Sequence, residues 1–205
     1  MGYKTVRNEA QFEFVEKKSE FIGYCARVTT EQEAVAFVNS IKKKHSDAKH
    51  NVYAYVLREG FKERFSDDGE PHGTAGMPVL DSIRKSGITD TVIVVTRYFG
   101  GILLGTGGLV RAYTTAASGA ISAAGIAEMG DFSLVSVRAG YSEYQKIMPL
   151  VSAVGAKTEE SDFGTDVTLV LMVREELAEG FIADIIETTN GRAHTEIVGK
   201  KQEMI

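Results

Sequence analysis

The chain of 205 residues has a single cysteine, Cys25, and so cannot close an internal disulfide. A fold held by disulfide staples is excluded, and a reducing, cytoplasmic setting is expected. No apolar run approaches the roughly 20 residues of a membrane-spanning helix, so no membrane contact is expected. Met1-Gly2-Tyr3-Lys4-Thr5 lacks the apolar stretch of a signal peptide. There is no internal repeat and no low-complexity tract. A strong basic excess is missing too. Net charge is −5 and uneven: residues 1–128 hold 16 basic against 15 acidic side chains, and residues 129–205 hold 7 against 13. An acidic half is a poor platform for phosphate backbones, so any nucleic-acid contact belongs to the first half.

What the chain does have is glycine in concentrated form. It gathers in two runs, Phe65-Ser66-Asp67-Asp68-Gly69-Glu70-Pro71-His72-Gly73-Thr74-Ala75-Gly76-Met77-Pro78 and, from Thr96 to Arg111, Thr-Arg-Tyr-Phe-Gly-Gly-Ile-Leu-Leu-Gly-Thr-Gly-Gly-Leu-Val-Arg. Glycine costs backbone entropy in an ordered element. Set beside Asp, His, Arg and Tyr, it implies bare backbone. That backbone serves close approach of a ligand or close packing of two chain segments.

Aromatic and β-branched residues over 20–28 predict a strand. Thr30 with Glu33 forms a capping box for a helix carrying Ala34, Phe37, Val38 and Ile41 on one face. Lys42-Lys43-Lys44 suits that helix's negative end, and a phosphate-contacting patch is the other use. Strands are expected over 51–58 and 62–65, a helix over 75–86 capped by Thr74, a buried strand over 91–96 and a helix over 109–123. Residues 124–131 read as the junction between domains 1–128 and 129–205. Beyond it the pattern predicts strand 132–139, helix 142–154, strands 157–161 and 166–173, helix 176–189 and strand 194–198. That order is the ferredoxin-like plan.

The loop holding Asp67, Asp68, Glu70 and His72 has carboxylates and an imidazole, as a metal site would, but not the ligand count of a calcium loop. Turn geometry explains its Asp and Gly equally well. No metal and no cofactor is expected. The second run follows a buried strand and opens a helix, where free amides hold anions. It lacks the Gly-Lys-Ser/Thr of a phosphate loop, and Val110 breaks a dinucleotide fingerprint. A candidate anion site therefore combines Arg97 and Arg111 with Gly100, Gly101, Gly105, Gly107 and Gly108, centred near Gly107 and Gly108. The alternative is a structural clasp from Arg97 to Asp67 or Asp68, with glycines serving tight turns. Either way the two runs are expected to meet.

No catalytic residue is assigned. Cys25 lies in an apolar strand, where a thiol is inert. His45, His50 and His194 have no sequence-local carboxylate or cysteine arrangement of the kind a triad or zinc site would show. His72 is the one histidine in a loop of interest; as a general base it would need Asp67 or Asp68 to orient it, and the sequence does not show that they meet. Tyr53, Tyr55 and Tyr98 suit either base stacking or the core.

The two runs, extended by Val94-Val95 and Ala112-Tyr113, resemble the signature of the IMPACT family in its YigZ-like branch. The resemblance implies an α+β chain of two domains. The first would be similar to the second domain of ribosomal protein S5, and the second, ferredoxin-like, to the last domain of elongation factor G. It also implies a non-enzymatic, translation-linked binding protein, because eukaryotic relatives sharing the first domain act in control of translation. The expected partner is RNA or a ribosome-associated protein. The alternative is an enzyme acting on a phosphorylated or nucleotide ligand in the groove between the two runs, where a small anionic ligand would sit. A concave cleft would favour that alternative.

Overall fold

The computed structural model describes residues 2–205. The described chain divides into two compact units, Tyr3–Glu128 and Met129–Ile205, the latter including Gly2.

The first unit contains β1 (Tyr3–Val6), β2 (Ala10–Glu16), β3 (Ser19–Arg27), α1 (Glu31–Lys44), β4 (His50–Leu57), β5 (Lys62–Ser66), α2 (Gly76–Lys85), β6 (Thr91–Tyr98) and α3 (Thr106–Ala124). Its five-stranded sheet runs β2-β3-β6-β4-β5, each neighbouring pair antiparallel. Side chains alternate across it. Phe21, Cys25, Val52 and Ile93 face a core completed by Val79 and Ile83 of α2 and Tyr113 and Ala116 of α3. Ile22, Tyr24, Tyr55 and Val94 face the opposite way, onto Ala34, Val38 and Ile41 of α1. The sheet is thus the middle of three layers, which is why β6 reads as a continuous apolar run. The alanines of α3 let it approach β3 closely: a methyl group at Gly23 would lie 2.5 Å from the Ala116 carbonyl oxygen.

Several local expectations need correction. Thr74 does not cap α2; its hydroxyl donates to the Pro71 carbonyl at 2.7 Å. The cap comes from Asp67, whose Oδ1 accepts from the Ala75 and Gly76 amides at 3.2 and 2.8 Å. Helix α3 starts at Thr106, three residues before its first apolar side chain, because glycines carry no periodic signal. Strands β1 and β2 were not expected. Strand β7 (Ile126–Ala139) already begins inside the stretch 124–131.

The second unit continues from β7 with α4 (Tyr141–Val154), β8 (Lys157–Phe163), β9 (Val167–Arg174), α5 (Glu175–Thr188) and β10 (His194–Met204). Among the strands of this unit the order is β10-β7-β9-β8, each neighbouring pair antiparallel, which is the ferredoxin-like arrangement; the sheet they belong to has a fifth strand, β1, paired with β7. Val135, Val137 and Leu171 pack against Ile147 and Val151 of α4 and Phe181 and Ile185 of α5. β10 runs six residues beyond the expected 194–198. Its second half is charged and has no apolar alternation, but its backbone pairs onward with β7 as far as Met204 opposite Met129.

Candidate functional site

Register builds the site first. Antiparallel pairing of β4 with β6 places His50 opposite Arg97. The acidic loop, leaving β5, folds over this end of the sheet. Glu70 and Arg97 are both buried there, their side chains 4% and 6% exposed. Arg97 Nη1 donates to Glu70 Oε1 at 2.6 Å. The Tyr113 hydroxyl, from α3, donates to the same oxygen at 2.8 Å. Burial first, and the Glu70 carboxylate second, push the Tyr113 hydroxyl far above the ordinary tyrosine value. Tyr113 therefore stays a donor. Arg97 Nη2 reaches Ser19 Oγ at 3.4 Å, and that oxygen also accepts from the Gly100 amide. Arg97 Nε, fully buried, has no hydrogen-bond partner among the described residues. An unmade bond of this kind costs about 1–3 kcal/mol.

The two glycine runs therefore do meet, through Glu70 and Arg97 rather than the expected Asp67 or Asp68. Those two carboxylates face other partners. Asp67 is held by backbone amides, including that of Gly73 at 3.0 Å. Asp68 accepts from the Asn51 amide and from Lys42 Nζ, each at 2.7 Å. Lys42 is thereby tied into the loop. The three carboxylates point to different partners, and among the described residues no group of three His, Cys, Asp or Glu is placed to hold a metal ion.

His50 is the residue that sequence reading passed over. It is 7% exposed. Its Nδ1 lies 2.8 Å from the Asp68 carbonyl oxygen. A carbonyl only accepts, so Nδ1 carries the proton and Nε2 is the acceptor of the neutral ring. Nε2 stands 3.8 Å from Glu70 Oε1, beyond hydrogen-bond reach.

Above these groups opens a cleft of about 440 Å³. Lys49, His50, Glu70 and Arg97 supply its polar lining, and Pro71, Phe99, Leu103, Leu104 and Leu109 its apolar walls. Gly105 and Thr106 bring the start of α3 to its edge. The N-cap of α3 is Gly105, and among the described residues no side chain caps the helix. Lys49 Nζ lies 5.8 Å from the centre of the Phe99 ring.

The other candidate residues separate. Arg111 and Gly108 line a second recess of about 240 Å³ with Lys17 and Phe14. Arg97 and Arg111 thus do not share one pocket, although Leu104 lines both. Gly100 is a packing glycine, since a methyl group there would overlap the Lys18–Ser19 backbone. Gly101 and Gly105 have φ of 82° and 75°, which side chains rarely adopt. Gly107 is different. Its φ is not positive, and a methyl group there would meet only Arg111 Nη1, at an ordinary 3.8 Å. The His72 side chain is 99% exposed and 3.7 Å from Asp67, which already serves backbone amides. The carboxylate that would orient His72 as a general base is therefore committed to capping α2.

His45 also has partners that its sequence neighbours hid. Its Nε2 is 2.7 Å from the Tyr24 hydroxyl and its Nδ1 2.9 Å from that of Tyr98. Burial, then Lys44, lowers its pKa. Tyr55 is buried, with Tyr53 and Tyr98 packed against the same cluster. Burial pushes the Cys25 thiol up to about 12, as an inert core thiol should be.

The family profile "Impact N-terminal domain" matches residues 17–121, and one described as a domain of unknown function matches 137–192. "IMPACT family member YvyE" of Bacillus subtilis is 39% identical over 193 residues, covering 94% of this chain and 89% of that protein. "IMPACT family member YigZ" of Escherichia coli is 34% identical, covering 85% and 87%. A solved structure titled "Crystal structure of an hypothetical protein" matches with a TM-score of 0.63 and 30% identity, covering 97% of this chain and 98% of that one. The "Protein IMPACT homolog" of Dictyostelium discoideum is 42% identical over 95 residues, covering 44% of this chain and 27% of that protein. The chain belongs to the IMPACT family. No helix of the described residues is long and apolar enough to cross a membrane.

Proposed function

We propose that this chain is a translation-linked binding protein whose first unit contacts RNA or a ribosome-associated factor. One observation carries this reading. Between β6 and α3, Phe99, Ile102 and Leu103 stand exposed, Leu103 at 82%, beside a recess lined by Arg97, His50 and Lys49. Apolar side chains grouped around a recess lined by charged and polar groups are not needed by the core and suit a docking surface. The translation-linked part rests on what the resemblance to the IMPACT family implies.

The intact chain is to be titrated with fluorescent single-stranded RNA at low and moderate salt, and used to capture partners from lysate. RNA binding that weakens with salt and is reduced by Arg111→Ala supports the RNA branch. Absence of binding at low salt removes that branch. Capture of a ribosome-associated protein that is lost with Leu103→Ser then supports the protein branch, and capture indifferent to Leu103→Ser overturns the surface.

A second reading is favoured by the cleft's concavity: an enzyme acting on a phosphorylated or nucleotide ligand held there. About 440 Å³ with a few convergent polar groups is the scale of a small-molecule site.

A further inference from the structure

We infer that the cleft binds a small phosphate monoester carrying an apolar or aromatic body, and that binding draws a proton onto His50. The inference deepens the second reading above and rests on it.

Two features converge on an anion, the start of α3 and Arg97. The start of α3 presents amides at the cleft's edge with no side-chain cap among the described residues. Arg97, 5% exposed, lines the same cleft and keeps a buried N–H without a partner among the described residues. Gly107 stands in the first turn of α3 although the fold leaves room for a side chain there. Glycine at such a position weakens the helix and leaves the amides bare. The apolar walls, Phe99 and Leu103 among them, argue against inorganic phosphate as the natural occupant. They suit a phosphate attached to a hydrophobic or planar group.

His50 follows from charge and tautomer together. The groups facing it are few. Glu70 is 3.8 Å away and bonded to Arg97 and to the Tyr113 hydroxyl. Asp68 offers its carbonyl to the ring and its carboxylate to Lys42 and the Asn51 amide. Lys49 precedes it and lines the cleft. With Nδ1–H committed to the Asp68 carbonyl, Nε2 of the neutral ring presents a lone pair to whatever enters. A phosphate oxygen there is repelled until Nε2 takes a proton. The imidazolium then donates to the phosphate from Nε2, the ring nitrogen that also faces Glu70 at 3.8 Å. The proton comes from solvent, and no covalent bond changes.

The test uses the full-length protein, with adenosine monophosphate as probe and adenosine and inorganic phosphate as controls. Calorimetry in two buffers of different ionisation enthalpy reads proton uptake, and nitrogen-15 NMR of the histidine side chains reads the ring state. The expected result is binding of the monophosphate about tenfold tighter than inorganic phosphate, roughly the effect of one good apolar contact. The His50 ring should pass from the Nδ1–H neutral form to imidazolium on binding. Arg97→Lys should weaken binding at least about tenfold, on the scale of a lost charged hydrogen bond. His50→Gln should remove the proton uptake. If neither monophosphate nor phosphate binds, the cleft reading fails. If the monophosphate binds but His50 stays neutral, the reading stands and the proton inference fails. Adenosine binding as tightly as its monophosphate would overturn the phosphate part. Circular dichroism and thermal melting of each variant establish that it is folded.

Discussion

The two units treat charge in opposite ways. Both lay helices on an antiparallel sheet, but the first buries Arg97, Glu70, His50 and Asp90. Among the described residues of the second, Glu143 is the buried charged group, and it is met by the Ser142 hydroxyl at 2.7 Å and Arg192 at 3.3 Å. Other pairs of that unit, such as Arg138 with Asp166, lie in solvent. Buried ion pairs are often no more stabilising than apolar packing. The second unit shows that this chain assembles a sheet-and-helix core almost without them. The charged floor of the first unit is therefore better explained by what it presents to the cleft than by what it adds to stability.

The sharpest way to break the comparison is Arg97→Leu. It leaves Glu70 buried without its cation and should cost about 3–5 kcal/mol in urea unfolding. Combining it with Glu70→Met should recover most of that loss. If the double variant is no better than the single one, the pair stabilises the fold after all. Next comes Asp67→Ala, which removes the acceptor for amides at the start of α2. A loss of about 1–2 kcal/mol is expected, as for a lost helix cap. Thr74→Ala should cost less, because Thr74 is not the cap. Gly107→Ala should raise stability by about 0.5–1 kcal/mol, since alanine fits the helix better. A fall in the unfolding midpoint would mean that the fold does use this glycine. The smallest effect belongs to the second unit: Arg138→Ala, at an exposed pair, should stay within about 0.5 kcal/mol. A larger change would show that surface charge matters there as well.

Elements with a strong local period were legible. α1 was announced by Thr30, Glu33 and its apolar face, and α4 and α5 by theirs. β1 was not read because four residues give too short a pattern. β2 does alternate, with Phe12 and Phe14 between Gln11, Glu13 and Val15, and that signal was available. Residues 65–78 and 96–111 stood out by composition, and they do meet. Which of their side chains meet was not legible. Glu70 and Arg97 are 27 positions apart, and Tyr113 and Glu70 are 43 apart.

By itself, the sequence determined the helices and strands that carry a strong local period, the ferredoxin-like order of the second unit, the inert cysteine and the uneven charge. Each of these follows from neighbours within a few residues or from a simple count. Only the tertiary structure decided that Arg97 binds Glu70 and not Asp67 or Asp68, that Asp67 caps α2, and that Arg111 lies in a separate recess. Only it brought His50 to the cleft. The reason is register: pairing β4 with β6 sets His50 across from Arg97, and the loop after β5 then lays the Asp68 carbonyl on one side of the imidazole and Glu70 on the other. No local pattern encodes which residue of one strand will face which residue of the next.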